Sequence, residues 1–353
     1  MADKFKFDVV IGNPPYQEEN KGDNRQAEQV YHFFMQEAYE LSEKVTFITP
    51  ARFLFNPSRA LEKFSKKMLQ DPHFKILFYE QNSSKVFPNT DIKGGVVVSY
   101  RDSKEDFGPI LVFTSFHELN DVLHKVINST EKFKSINTLI YSTETYKLTD
   151  TLFEELPQLI GRTDIAHQKT MASSVFSRYP EIFYDTVESV DGYIKIFGKE
   201  NNERVYKYIR QEYVNNPENL QKFKIFVPGA NGSGAIGEVL STPLIGAPLI
   251  GAPLIGHTQT FMSFGAFETK SEAENLLKYI KTKFARVMLG IKKVTQNNQS
   301  KSTWEFVPLQ DFTDQSDVPW HLTIPEIDQY LYQKYGLSQE EIDFIEEKVK
   351  AME

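Results

Sequence analysis

Four consecutive residues, Asn13, Pro14, Pro15 and Tyr16, gather the groups needed to hold a planar base that carries an amino group. An exocyclic purine amino group needs acceptors for its two N–H hydrogens, and the Asn13 carboxamide oxygen and the Pro14 carbonyl can supply them. Accepting both pulls the nitrogen toward sp3 geometry and makes its lone pair more nucleophilic. Tyr16 offers a π-face, and stacking a base on an aromatic ring is worth roughly 1–3 kcal/mol. That offsets part of the few kcal/mol needed to take a base out of its stack. The bland alternative is a turn between a strand and a helix.

The elements around this cluster are legible in the same stretch. Val9 to Ile11 reads as a buried strand that stops at Gly12. Two prolines then forbid both ladder pairing and helix, so the chain must leave the sheet in a fixed extended turn. Ligands of open α/β sheets sit at that carboxyl end of the strands.

Asn-Pro-Pro-Tyr after an apolar strand resembles the catalytic motif of DNA adenine-N6 methyltransferases of restriction–modification systems. The resemblance implies base flipping, S-adenosylmethionine as methyl donor and double-stranded DNA as substrate, with Asn13, Pro14, Pro15 and Tyr16 catalytic and a restriction endonuclease as a further partner. It also implies a second aromatic wall for the adenine. Val86-Phe87-Pro88, in a turn ahead of a β-branched strand, looks like that element, so Phe87 is expected opposite Tyr16; filling the core is the other reading of Phe87.

At 353 residues the chain is long enough for two domains. It has no cysteine, hence neither a disulfide framework nor a thiolate metal site, and its seven histidines lack ligand spacing, so no metal is expected. No apolar run is long enough to span a membrane and no signal peptide is recognisable, so a soluble cytoplasmic protein is expected. The net charge of −8 argues against indiscriminate coating of nucleic acid. Residues 275–304 nevertheless carry seven basic side chains, among them Lys281, Lys283, Lys292 and Lys293, and no acid. Phosphate contact is the expected use, a solvated helix face the alternative.

Periodicity predicts a polar loop at 17–26, mobile enough to close over a flipped base, then a helix over 27–44 with Val30, Phe33, Phe34, Ala38 and Leu41 on its apolar face. A strand over 45–49, a helix over 57–70, strands over 74–79 and 96–100 and a further strand over 107–114 complete part of a doubly wound, Rossmann-like α/β sheet. Helices are expected over 117–128 and 147–156. Short polar stretches then mark a boundary, giving a methyltransferase part (1–158), a mixed α+β target-recognition domain (159–310) and a helical tail (311–353) with a Ser338/Glu341 capping box. Arg204, Lys207 and Arg210 recur at three-residue spacing, which reads as one basic helix face or a DNA-backbone contact.

Two stretches resist a regular reading. The glycines after Phe226 lack the acidic residue and aromatic of a cofactor loop, and a substrate-facing loop is the better expectation. Fourteen residues of Pro-Leu-Ile-Gly-Ala repeat, from Pro243 to Gly256, can form neither regular helix nor central strand.

In the family that this chain resembles, an aromatic–Gly-x-Gly loop for S-adenosylmethionine precedes the Asn-Pro-Pro-Tyr strand or, in permuted members, follows the recognition region. Only twelve residues precede Asn13, and no matching loop follows. The resemblance therefore implies a site-specific DNA adenine-N6 methyltransferase half, with the cofactor half on a partner chain and the strand at Phe7 left as an open sheet edge. The alternatives are a non-catalytic DNA-binding or specificity subunit, or truncated remnant, and an RNA or small-molecule methylase.

Overall fold

The computed structural model describes residues 7–17, 29–55, 60–88, 90, 92, 94–114, 116–230, 249–293 and 298–352. Packing divides the chain into two compact units, Met1–Asn120 and Asp121–Glu353. Among the described residues no helix is long and apolar enough to cross a membrane, and no cluster of three His, Asp or Glu side chains could hold a metal ion.

The first unit runs β1 (Phe7–Gly12), α1 (Tyr31–Leu41), β2 (Ser42–Pro50), the short α2 (Arg52–Phe55), α3 (Glu62–Gln70), β3 (Phe74–Glu80) and β4 (Val96–Asp102). Its sheet has the order β1-β2-β4-β3, with β1 parallel to β2 and β4 antiparallel to both its neighbours. A parallel step requires a crossover, and α1 provides it. Tyr31, Met35 and Ala38 form the buried stripe of α1, whereas Phe33 and Phe34, expected on that stripe, are exposed. The predicted helix over 57–70 is shorter, beginning at Glu62.

Strand alternation decides what the sheet covers. Val10, Val45, Phe47 and Val97 turn inward and pack with Met35 of α1 and Phe64 and Met68 of α3. Phe7, Val9 and Ile11 lie on the opposite face and are 55%, 48% and 77% exposed, and Phe78 of β3, at the other edge of the sheet, is exposed too. The described residues of this unit therefore form a mixed α/β sheet with helices packed on its Val10 face. Residues 107–114 do not form the expected strand. Gly108 and Leu111 adopt positive φ (75° and 63°), which breaks an extended run.

α4 (His117–Asn128) leads into the second unit, which contains β5 (Ile140–Tyr141), α5 (Asp150–Glu155), α6 (Val175–Arg178), β6 (Tyr193–Glu200), β7 (Glu203–Arg210), β8 (Phe223–Pro228), β9 (Leu249–Gly251), β10 (Ile255–His257) and β11 (Phe261–Phe267). α7 (Lys270–Lys281), α8 (Lys283–Gly290), α9 (Ile324–Lys334) and α10 (Gln339–Lys348) follow. Two sheets, β10-β6-β7 and β5-β11-β8-β9, form here. The boundary expected at 158/159 falls inside this unit. Leu152 and Phe153 of α5 share one core with Leu159, Met171, Val175 and Ile194, so the polar stretch read as a linker is threaded by buried apolar residues. The described part of the proline repeat makes β9 and β10, both at sheet edges, as its prolines require. Capping boxes close the starts of α7 (Thr269/Glu272), α9 (Thr323/Glu326) and α10 (Ser338/Glu341).

A buried polar chain links the strands of this unit. The Tyr146 hydroxyl donates to Asn219 Oδ1 (2.9 Å), Asn219 Nδ2 donates to Ser263 Oγ (2.9 Å), and Ser263 meets His257 Nε2 (3.1 Å). His257 Nδ1 faces the Thr258 carbonyl (3.0 Å) and must carry the proton, so Nε2 accepts from Ser263. Burial pulls the His257 pKa down from 6.5 to about 4. Between those values the unfolded chain binds the proton and the folded chain does not, so stability falls as pH drops through the interval, by about 3 kcal/mol in all. Thermal unfolding followed from pH 7 to pH 4 should show this loss, and His257→Gln should flatten it while lowering stability at neutral pH. Equal slopes in both proteins would exclude His257 as the source.

Candidate functional site

The carboxyl ends of the parallel neighbours β1 and β2 open onto a cavity of about 620 Å³, a volume typical of small-ligand sites. Asn13, Pro14, Pro15, Tyr16, Gln17, Gln29, Tyr31, Pro50, Arg52 and Ile92 line it. Glycine is required at the last position of β1, since the Phe47 ring fills the space of a side chain there, with Phe47 Cε1 2.8 Å from the position of a Gly12 Cβ. Beyond it Asn13 is exposed, Pro14 buried, Pro15 exposed and Tyr16 half-buried against the core of the first unit. The turn is fastened at its far side: Val30 N donates to Tyr16 O (3.2 Å), and Gln17 and Gln29 form a β-bridge. The loop expected over 17–26 lies, beyond Gln17, outside the described residues.

The lining is short of hydrogen-bond partners. The hydroxyls of Tyr16 and Tyr31 and the Gln29 carboxamide oxygen are buried without one among the described residues. Tyr31 is fully buried, and desolvation drives its pKa upward, an effect that the positive charge of Arg52 partly opposes. Burial raises the Tyr16 pKa as well. Unsatisfied polar atoms are costly in a folded interior, and a concentration of them around one cavity is a mark of a site that takes a polar ligand.

Phe87 is not part of this lining. It is half-buried in the turn after Ser83–Lys85, where its N donates to Ser83 O (2.8 Å) and its carbonyl accepts from Thr90 Oγ1 (2.7 Å); Ile92 of the same turn reaches the cavity instead. Tyr31, Gln29 and Arg52 escaped the sequence reading. The available signal was Pro50, which ends the neighbouring parallel strand at the same sheet edge as Asn13 and so places Ala51 and Arg52 at the cavity.

The basic candidates are dispersed. Arg204, Lys207 and Arg210 lie on β7, not on a helix, so alternation sends Lys207 to the face opposite the two arginines. Lys207 pairs with Asp185 and Glu200 (both 3.0 Å), Arg210 pairs with Glu155 (2.8 Å) and Glu212, and Arg204 lies over the Phe261 ring, where burial lowers its pKa. In the run from 275 to 304, Lys283 pairs with Glu346 and Lys292 with Glu305. Lys293 is buried, its pKa pulled down to about 8, and burial also lowers the pKa of Lys281. Lys278 donates to the carbonyls of Trp320 (2.6 Å) and Leu322 (3.3 Å), and fully buried Arg286 donates to the Thr282 carbonyl (3.2 Å). Lys207, Arg210, Lys278, Lys283, Arg286 and Lys292 are thus held by groups of the second unit itself.

The described part of the glycine-rich stretch does not form a cofactor loop for S-adenosylmethionine. The glycine-rich stretch after Phe226 leaves an antiparallel strand, and Gly229 is engaged through both backbone groups, donating to Thr260 O (2.9 Å) and accepting from Asn298 N (2.8 Å). A Cβ there would meet the Gln299 side chain at 2.8 Å. Residues 231–248 lie outside the described residues.

If the cavity is built for a ligand, its polar lining should be dispensable for folding. Tyr31→Phe removes a buried hydroxyl that has no partner and should raise stability by about 1 kcal/mol, and Asn13→Ala, on an exposed side chain, should leave it within about 0.5 kcal/mol. Urea unfolding of the two variants tests this; a loss above about 2 kcal/mol in either would make the cluster structural.

Comparison with known proteins bears on the same region. Residues 1–87 match the Eco57I restriction-modification methylase family profile. An uncharacterized adenine-specific methylase from Mycoplasma pneumoniae is 32% identical over 95 residues, which cover 26% of this chain and 22% of that protein. Among solved structures, the type IIG restriction endonuclease BpuSI aligns at 12% identity and a TM-score of 0.30, covering 98% of this chain and 55% of its own. The type IIL restriction-modification enzyme MmeI, solved with DNA, aligns at 10% identity and a TM-score of 0.35, covering 97% and 56%. The match to the curated relative thus spans about a fifth of its length, and this chain spans little more than half of either restriction enzyme. The amino-terminal region, which contains the cavity, is similar to restriction-modification methylases.

Proposed function

We propose that this chain is the base-holding half of a site-specific DNA adenine-N6 methyltransferase. The observation that carries the proposal is the cavity at the ends of β1 and β2, lined by Asn13, Pro14 and Tyr16 and rich in unpartnered polar atoms. In this reading the Asn13 carboxamide oxygen and the Pro14 carbonyl accept the two amino hydrogens of a flipped adenine, and Tyr16 stacks on the base. Phe87, on the turn that carries Ile92 into the cavity, forms the second wall when the base is bound. Alignment of the amino lone pair is then the main requirement, and no general base is called for.

S-adenosylmethionine, the methyl donor implied by the resemblance, is assigned to a partner polypeptide, because the glycine-rich stretch after Phe226 does not form a loop for it. The open edge of β1 and the exposed Phe7, Val9 and Ile11 support such a partner, since an uncovered apolar edge strand invites pairing. Residues 159–310 are assigned to selection of the DNA sequence, with Lys281 and Arg204 the basic side chains proposed for phosphate contact. A non-catalytic DNA-binding subunit is the second reading, favoured by the lack of a cofactor loop in the described part of the glycine-rich stretch.

Transfer of a labelled methyl group to duplex DNA by the chain together with its partner polypeptide decides between them. Asn13→Ala should lower transfer roughly a hundredfold or more, the scale set by losing one aligned hydrogen-bonding group in an active site, and leave DNA affinity unchanged. Sequence-selective binding with no transfer under any combination would establish the second reading, and full transfer by the variant would exclude the first.

A further inference from the structure

The geometry points to Arg52 as the residue that binds a backbone phosphate of the flipped nucleotide, an inference that rests on the base-holding reading of the same cavity. Arg52 is the cationic side chain of the lining, and it stands where β2 ends beside the Asn13 turn. Its side chain is exposed, and no ion pair joins it to a carboxylate among the described residues. Four other cations of the first unit are held by acids, Lys44 by Asp102, Lys85 by Glu80, Arg101 by Asp71 and Lys104 by Glu43, and none of the four lines the cavity.

The backbone beneath Arg52 is held from the other side. Gly94 and Gly95 adopt positive φ (91° and 81°), and Ala51 N donates to Gly95 O (2.9 Å). A Cβ on Gly94 would lie 3.4 Å from Arg52 Cα, and one on Gly95 would lie 2.3 Å from the Glu80 carbonyl oxygen. The Ala51–Gly95 hydrogen bond fixes the backbone from which the Arg52 side chain starts, Gly94 lies in contact with it, and the close approach that Gly95 allows is to Glu80. A solvated arginine needs no such support.

A base drawn into this cavity brings its sugar and two flanking phosphates to the mouth. A guanidinium presents a planar fork of donors that matches phosphate oxygens. Asn13 and Pro14 offer acceptors to the base, so the site separates its two tasks: acceptors at the amino group, a cation at the backbone.

The full-length chain can be titrated by NMR with deoxyadenosine and with deoxyadenosine 3′,5′-bisphosphate. The wild type should bind the bisphosphate about tenfold more tightly, the scale of one charge-assisted hydrogen bond. Arg52→Gln should bind both probes with the wild-type affinity for the nucleoside, and Arg52→Lys should recover part of the preference. A wild type without preference, or an Arg52→Gln variant that keeps it, overturns the assignment while the base-holding reading stands. Failure of deoxyadenosine to bind, with the bisphosphate still held through Arg52, overturns the base-holding reading and leaves the anion site.

Discussion

Parallel pairing of β1 with β2 is the contact on which the candidate site depends. The register places Val10 opposite Val45 and Gly12 opposite Phe47, so both strands deliver their carboxyl ends to one edge of the sheet. A slip of one residue would turn Val10 out and Ile11 in, and would move Gly12 from beneath the Phe47 ring. The prolines complete the arrangement. Without N–H donors, Pro14 and Pro15 cannot extend the ladder, and the turn is left with a carbonyl and an amide that no strand consumes. β1 thereby contributes acceptors and an aromatic ring, and β2 contributes Pro50 and Arg52.

Charge is used differently in the two units. In the second, the basic run meets the acidic carboxyl-terminal segment, Lys283 pairing with Glu346 and Lys278 donating to the Trp320 and Leu322 carbonyls, and Lys125 of α4 pairs with Glu341 of the same segment (2.7 Å). Asp328, buried, accepts from the N–H groups of Lys283 (3.0 Å) and Phe284 (2.9 Å) at the start of α8, although desolvation pushes its pKa up to about 6. Buried charge is tolerated when it is paired in this way. A cation already satisfied has little left for an outside phosphate. The unpaired Arg52 at a cavity mouth differs in that respect from the lysines of the basic run.

What was legible in the sequence follows from the range of the interactions concerned. The strand before Gly12, the proline turn and the Ser338/Glu341 capping box are decided by neighbours in sequence, and the structure has all three, although the strand expected to be buried exposes Val9 and Ile11, because helices pack on only the Val10 face. Composition pointed to an internal asymmetry of charge but could not say what the charges face. Seven bases without an acid over thirty residues looked like a nucleic-acid surface because their partners, Glu305 and Glu346 among them, lie beyond the run. The three-residue spacing of Arg204, Lys207 and Arg210 suggested a helix, yet Val205, Tyr206 and Ile209 suit a strand equally well, and pairing with β6 settled the matter. Likewise the polar residues of 159–177 hid Leu159, Met171 and Val175, whose burial is a tertiary event. Arg52 and Tyr31 were invisible because the cavity exists only once α1 and β2 stand beside the β1 turn.

Magnitudes constrain how such a cavity could work on DNA. Asn13 is exposed, so a hydrogen bond formed there exchanges with water and contributes only about 0.5–1.5 kcal/mol. One stacking wall at Tyr16 adds roughly 1–3 kcal/mol. Together these barely match the few kcal/mol of extruding a base. On the reading proposed above, the remainder would come from phosphate held by Arg52, from duplex contacts made by the second unit, and from a partner that covers β1. Excluding water from around Asn13 would strengthen every polar contact in the cavity. A partner seated on the exposed apolar face of β1 would then improve the chemistry at the exposed Asn13 as well.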